Sequence, residues 1–272
     1  MFLLISAQQS EFLPAGTGKY RHIFRPCRST PHHTPMKVFL IGASGGIGSA
    51  TARRLAAKGA ELLLAGRNEE RLAALGSELG ARHVVVDAAS FDALERAVAE
   101  FAPCDAVVNC AGSLLLKPAH LTTEREFRDT IEMSLTTAFS TVRAGAKAMM
   151  TTGGSIVLCA TAAARTGLPN HEAIAAAKAG VIGLTLSAAA SYGARNIRVN
   201  CVAPGLVATP LTSRITQNEA SLKASQAMHV LGRIGRPEDI ASAIDWLIDP
   251  ENSWVTGQVL GVDGGLGTVR AR

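Results

Sequence analysis

Residues 37–48, KVFLIGASGGIG, decide the fold of this chain. A short unbroken apolar run, 38–41, reads as a strand buried on both faces. Gly42, Gly46 and Gly48 follow it at once and open an amphipathic stretch over 47–58. Glycines at the junction let the backbone approach a phosphate group closely. The start of the helix adds free amides and the positive end of its dipole. The stretch therefore reads as a dinucleotide-binding turn, with Ser44 and Ile47 lying within it.

Outward from this stretch the same alternation repeats. Strand-like runs fall at 38–41, 62–65, 83–86, 106–109, 155–159, 198–202 and 259–262. Helix-like stretches separate them at 47–58, 69–79, 91–101, 124–150, 172–192 and 237–248. The runs are continuous rather than alternating, as expected of strands covered by helices on both faces. The expected fold class is α/β, a Rossmann-type doubly wound, seven-stranded, mostly parallel sheet. Nothing divides residues 36–272 into smaller units, so a single domain is expected there.

Composition narrows the function. An apolar fraction of 47% with 18% charged residues suits a soluble globular protein. The net charge of +5 is concentrated before the domain, where Lys19, Arg21, Arg25 and Arg28 face only Glu11. No basic stripe interleaved with aromatics remains, which argues against a nucleic-acid partner. Residues 1–35 are rich in Pro, His, Arg and Ser and are expected to be a disordered extension, either a transit peptide or a mis-called start ahead of Met36. The opening apolar run is too short for a membrane span. A cytoplasmic location is expected, or an organellar one if the extension is a genuine transit peptide. Cys27, Cys104, Cys110, Cys159 and Cys201 form no C-x-x-C pair and read as reduced thiols, and no metal site is expected.

The end of the second strand bears on cofactor choice. Gly66 stands where an acid would meet a ribose 2′-hydroxyl, and Arg67 follows it. An absent carboxylate and an available guanidinium favour a 2′-phosphate, hence NADP(H) over NAD(H).

The glycine spacing, residues 170–178 (NHEAIAAAK), 109–112 (NCAG), 204–209 (PGLVAT) and 263–265 (DGG) together resemble the short-chain dehydrogenase/reductase family across nearly all of 37–265. The resemblance implies that Asp87 and Ala88 meet the adenine. Asn109, Ala111 and Gly112 would line the adenosine side, and Pro204, Gly205 and Thr209 the nicotinamide carboxamide. It also implies a catalytic set of Tyr, Lys, Ser and Asn. Lys178 is in register for the Lys, which binds the ribose. Ile174, four residues earlier, stands where the Tyr is expected and has no proton to give. Thr161 falls at the Ser position and Ser134 at the Asn position. In the enoyl reductase branch the Tyr lies seven residues before the Lys, which is His171 here. His171, in the first turn of a helix capped by Asn170, is then a candidate neutral donor.

The expected activity is NADP(H)-dependent hydride transfer to or from a small carbonyl, alcohol or enoyl substrate, with altered acid-base residues. The alternative is a non-catalytic NADP(H)-binding sensor or scaffold. By resemblance, residues 211–231 form a lid over the substrate and the protein is a homodimer or homotetramer.

Overall fold

The protein is described by a computed structural model over residues 35–269. Apart from Pro35, the extension expected over residues 1–35 lies outside the described residues. The strands are β1 (Lys37–Ile41), β2 (Glu61–Gly66), β3 (Arg82–Val85), β4 (Ala106–Asn109), β5 (Gly154–Cys159), β6 (Ile197–Pro204) and β7 (Val259–Val262). They form one sheet in the order β3-β2-β1-β4-β5-β6-β7, with every neighbouring pair parallel. The helices are α1 (Gly46–Ala57), α2 (Glu69–Leu79), α3 (Phe91–Phe101), α4 (Glu124–Ile131), α5 (Thr137–Met149), α6 (Glu172–Tyr192), α7 (Ser213–Thr216), α8 (Glu219–Met228) and α9 (Pro237–Ile248).

The strand pleat divides the core into two layers. Phe39 and Ile41 of β1 pack with Leu94, Val98 and Phe101 of α3, Val142 and Met149 of α5 and Val181 of α6. Val38 and Leu40 point the other way, to Leu55 of α1, Leu72 and Leu75 of α2 and Ile240, Ile244 and Leu247 of α9. Burial of both faces is why the strands read as unbroken apolar runs. The chain reverses its winding between β1 and β4, and open α/β sheets bind ligands at the carboxyl ends of the strands flanking that point.

One ion-pair cluster clamps the second layer. Asp245 on α9, its side chain 7% exposed, accepts from Arg54 Nε on α1 at 2.7 Å and from Nζ of Lys58, the C-cap of α1, at 2.6 Å. The two cations are about half exposed and regain water when the carboxylate is lost. Asp245→Ala is therefore expected to cost about 1–3 kcal/mol, less than a fully buried pair. The midpoint of urea unfolding measures it.

Two sequence expectations need correction. The helix expected over 124–150 is two helices, joined by a π-turn over Glu132–Thr136. The hydroxyls of Thr130, Thr137 and Thr141 all return to carbonyls one turn back, a pattern that bends helices. The helix carrying Lys178 is capped by His171 and not by Asn170, which adopts a left-handed φ of 64° just before it. Residues 172–195 are also long and apolar enough, by composition, to cross a bilayer. In this fold their buried face, Ala173, Ile174, Ala177, Val181 and Thr185, lies against the sheet.

Candidate active site

The glycine turn is built by close approach. A Cβ on Gly48 would sit 2.1 Å from the Gly42 carbonyl oxygen, and one on Gly42, at φ 73°, would sit 2.6 Å from the Ala111 nitrogen. Thr209 packs directly on Gly46, where a Cβ would meet its methyl at 2.6 Å. The turn thus brings together the ends of β1, β4 and β6. No side chain caps the start of α1 and its first turn holds no acid, so its leading amides face the cleft free. This cradle suits the pyrophosphate of a dinucleotide.

Ser44 lies beside Gly66 at the end of β2, where its hydroxyl would be 3.8 Å from an added Cβ. Arg67 is exposed and has no carboxylate partner among the described residues. Its Nη1 reaches Met133 Sδ on the π-turn at 3.3 Å, a weak acceptor. Asp87 is exposed and accepts from the Ala89 amide at 3.0 Å, while Ala88 is buried. Asn109 is 3% exposed. It donates to Thr141 Oγ1 and accepts from the Ala111 amide, both at 2.8 Å. Its side chain is therefore spent on shaping the turn that presents Ala111 and Gly112.

Lys178 is buried on α6, 6% exposed, and its Nζ donates to the Cys159 carbonyl at 2.7 Å. Gly112 leaves room for this ammonium, since a Cβ there would come within 3.1 Å of Nζ. Ile174, one turn earlier, is 3% exposed. Thr161 follows β5. Its Oγ1 accepts from the Ala163 amide at 3.3 Å and lies 3.5 Å from the Pro204 carbonyl oxygen.

Ser134 sits inside the π-turn, 1% exposed, and its hydroxyl has no hydrogen-bond partner among the described residues. Gly180 on α6 makes room for that turn, as a Cβ there would lie 2.8 Å from Leu135. Ser113, just after Gly112, also has a buried hydroxyl without a partner among the described residues. His171 points its Nδ1 at the Pro169 carbonyl, 2.8 Å away. A carbonyl only accepts, so Nδ1 carries the proton and a neutral ring offers only an acceptor at Nε2. The expected neutral donor is thus replaced by a ring that donates at Nε2 only when doubly protonated.

Pro204 ends β6, and Gly205 and Thr209 continue it over the cleft. Thr209 is knotted to Thr212, whose hydroxyl accepts from the Thr209 amide at 3.0 Å. The four thiols among the described residues are not poised as nucleophiles. Burial pushes Cys104 up to about 11 and Cys201 up to about 12, and raises Cys110 and Cys159 as well, so all four stay protonated at neutral pH.

Sequence reasoning did not anticipate the π-turn, the role of Gly180, or the buried His229 in the lid. The repeated threonines were the available signal for the first. The other two depend on which residues meet across the fold.

Comparison with known proteins agrees with this geometry. The family described as Enoyl-(Acyl carrier protein) reductase matches residues 42–267. The chain is 34% identical over 230 residues to a 3-oxoacyl-(acyl-carrier-protein) reductase of Rickettsia bellii, covering 84% of this chain and 95% of that protein. A short-chain type dehydrogenase/reductase from Mycobacterium ulcerans superposes with a TM-score of 0.83 at 30% identity, over 87% of this chain and 91% of that one. An actinorhodin polyketide ketoreductase, solved with NADPH, superposes with a TM-score of 0.80 at 28% identity, over 86% and 98%. With the glycine turn, the buried Lys178 and the all-parallel sheet placed as described, these likenesses lead to one assignment: the chain belongs to the short-chain dehydrogenase/reductase family and is an oxidoreductase.

Proposed function

We propose that the protein is an NADP(H)-dependent oxidoreductase acting on a small carbonyl, alcohol or enoyl substrate with altered acid-base residues. The observation that carries this reading is the buried ammonium of Lys178, held between the Cys159 carbonyl and Gly112, which follows the Ala111 backbone packed on Gly42 of the glycine turn. The printed names of its relatives, a 3-oxoacyl reductase and a polyketide ketoreductase with NADPH, support carbonyl reduction and the cofactor.

In this reading the amides at the start of α1, with Gly42, Gly46 and Gly48, hold the pyrophosphate. Ser44 and Arg67 take the 2′-phosphate. Asp87 and Ala88 border the adenine, and Ile47, Ala111, Gly112, Pro204, Gly205 and Thr209 line the remainder. The nicotinamide, when bound, supplies or accepts the hydride. Lys178 binds the ribose. The Thr161 hydroxyl orients the substrate oxygen by turning its O–H from the Pro204 carbonyl, a long contact at 3.5 Å, toward that oxygen. Ser134 holds a water in place of the family's Asn. Ile174 occupies the position of the family's Tyr, and proton delivery falls to water or to a doubly protonated His171.

NADPH oxidation against a panel of ketones, 3-oxoacyl thioesters and enoyl thioesters, run beside a cofactor titration, tests the reading. Tight cofactor binding with no turnover on any of them would overturn it. Arg67→Ala is expected to weaken NADPH binding about tenfold to a hundredfold, the value of a charge-assisted contact, and NADH binding by under about threefold. Equal losses would refute the phosphate contact.

A homodimer or homotetramer fits the exposed apolar side chains Phe127, Phe139 and Leu186 on α4, α5 and α6, and Trp254 and Leu260 at the open edge of the sheet. A cytoplasmic location follows from likeness to the reductases only.

A further inference from the structure

Residues 211–231, read above as the substrate lid, are almost wholly on the surface. Only Ser225 and His229 among them are buried, and His229 is just 2% exposed. The imidazole is held at both nitrogens. Nδ1–H donates to the Ser225 carbonyl at 2.6 Å, and Nε2 accepts from the Leu206 amide at 3.2 Å. A carbonyl cannot donate and an amide N–H cannot accept, so this arrangement needs the neutral ring with its proton on Nδ1.

Two glycines make the slot. A Cβ on Gly205 would lie 2.6 Å from Nε2, and one on Gly264 would lie 3.5 Å from the His229 Cβ. The ring is thereby wedged between the loop leaving β6 and the turn leaving β7. It also forms part of the wall of a cleft of about 660 Å³ with Leu206, Leu231, Arg233 and Asp263. The other end of the lid is tied independently, by the Thr212 hydroxyl on the Val207 carbonyl.

We propose that His229 is a positioning residue that latches the lid: it bolts the C-terminal end of α8 to Leu206, in the same loop that carries Pro204 and Thr209. The inference rests on reading 211–231 as the lid of the proposed oxidoreductase. When the bolt is drawn the lid pivots about Thr212, substrate escapes more easily, and the glycine turn across the cleft is left as it was.

The test uses the full chain and the variants His229→Leu, which fills the slot without hydrogen bonds, and His229→Gln, whose Oε1 can still accept from the Leu206 amide. Lid opening is read by the rate of tryptic cleavage after Arg214 and Lys223, both exposed in the lid. In His229→Leu that rate and the KM for substrate are expected to rise about tenfold, the value of one buried hydrogen bond, with the NADPH dissociation constant within about twofold of wild type. His229→Gln is expected to recover most of both. In wild type the Leu206 amide is expected to resist hydrogen exchange more than the Val207 amide beside it, which has no acceptor among the described residues, a measurement that stands even if a variant fails to fold.

Unchanged lid cleavage in His229→Leu, faster cleavage throughout the core with no recovery in His229→Gln, or a Leu206 amide that exchanges like open loop would each overturn the proposal. Cleavage and exchange need no turnover, so a protein inactive on every substrate would sink the proposed activity while the latch is still decided.

Discussion

Ile174→Tyr is expected to raise carbonyl reduction about 10²- to 10⁴-fold, the usual contribution of a well-placed general acid, or about 3–5 kcal/mol of barrier. On the proposed reading the acid is the largest piece missing, with Ser134 in place of the Asn a smaller change. Lys178 lies one turn further along α6 with its ammonium at the Cys159 carbonyl, so a phenol at 174 would have a cation beside it to favour its ionised form. The Thr161 hydroxyl donates only a long 3.5 Å contact to the Pro204 carbonyl and can turn to hold the substrate oxygen. The position is tight, because Ile174 is 3% exposed, and the larger ring is expected to cost about 1–3 kcal/mol of stability. Ile174→Phe separates the two effects: it carries the ring without the hydroxyl and is expected to lose stability with no gain in rate. Single-turnover oxidation of NADPH by a ketone or 3-oxoacyl thioester is the measurement. A folded Ile174→Tyr that binds NADPH normally yet is no faster than Ile174→Phe would count against the assignment of this position.

The second large effect concerns the fold as much as the cofactor. In Gly48→Ala the added methyl would meet the Gly42 carbonyl oxygen at 2.1 Å, the Gly42 carbonyl carbon at 2.8 Å and Ala43 Cα at 2.9 Å. All three are backbone atoms of the turn between β1 and α1, so no side chain can swing aside to make room. The turn has to open, and α1 moves off both the cleft and its contacts with α9. A loss of about 3 kcal/mol or more is expected, at or beyond the upper end for overpacking, together with loss of measurable NADPH binding. Gly183→Ala is the matched control. It lies within α6 with nothing within 4 Å of an added Cβ, so it should gain about 1 kcal/mol from helix propensity. Urea unfolding and a fluorescence titration of NADPH report both outcomes. Wild-type stability in Gly48→Ala would mean the turn is looser than its contacts imply.

The strands were legible because each is buried on both faces, so its sequence is an apolar run with a definite start and end. The runs at 106–109 and 259–262 match β4 and β7 in full, and the other five differ only at their ends. Helices whose apolar face meets the sheet were equally plain, including α2, α3, α6 and α9. What escaped was decided by contacts between distant residues. The break after Ile131 depends on Leu135 finding space over Gly180 and on Asn109 holding Thr141, and neither partner is near in sequence. His229 looks like one more polar lid residue until Gly205 and Gly264 are seen to leave a slot for it. Asn170 suits an N-cap by composition, but its left-handed backbone hands that place to His171. At the site, the residue types at 161, 174 and 178 were read directly, whereas the proton position on His171 required the carbonyl of Pro169.

The π-turn at Glu132–Thr136 fixes an angle as well as a bend. Each residue added to or removed from a helix rotates everything beyond it by about 100° about the axis. Relative to α5, which is locked onto the sheet, α4 is therefore indexed one step out of phase with a regular helix. Deleting any one residue from 132–136 would restore the regular spacing and turn α4 by that step. The Thr123–Glu126 cap and the Lys117–Glu126 pair would then face a different neighbour, and the loop tied by Lys117 to Asn170 would lose its footing beside the cleft. The chain thus sets the azimuth of α4 by the count of residues in one turn.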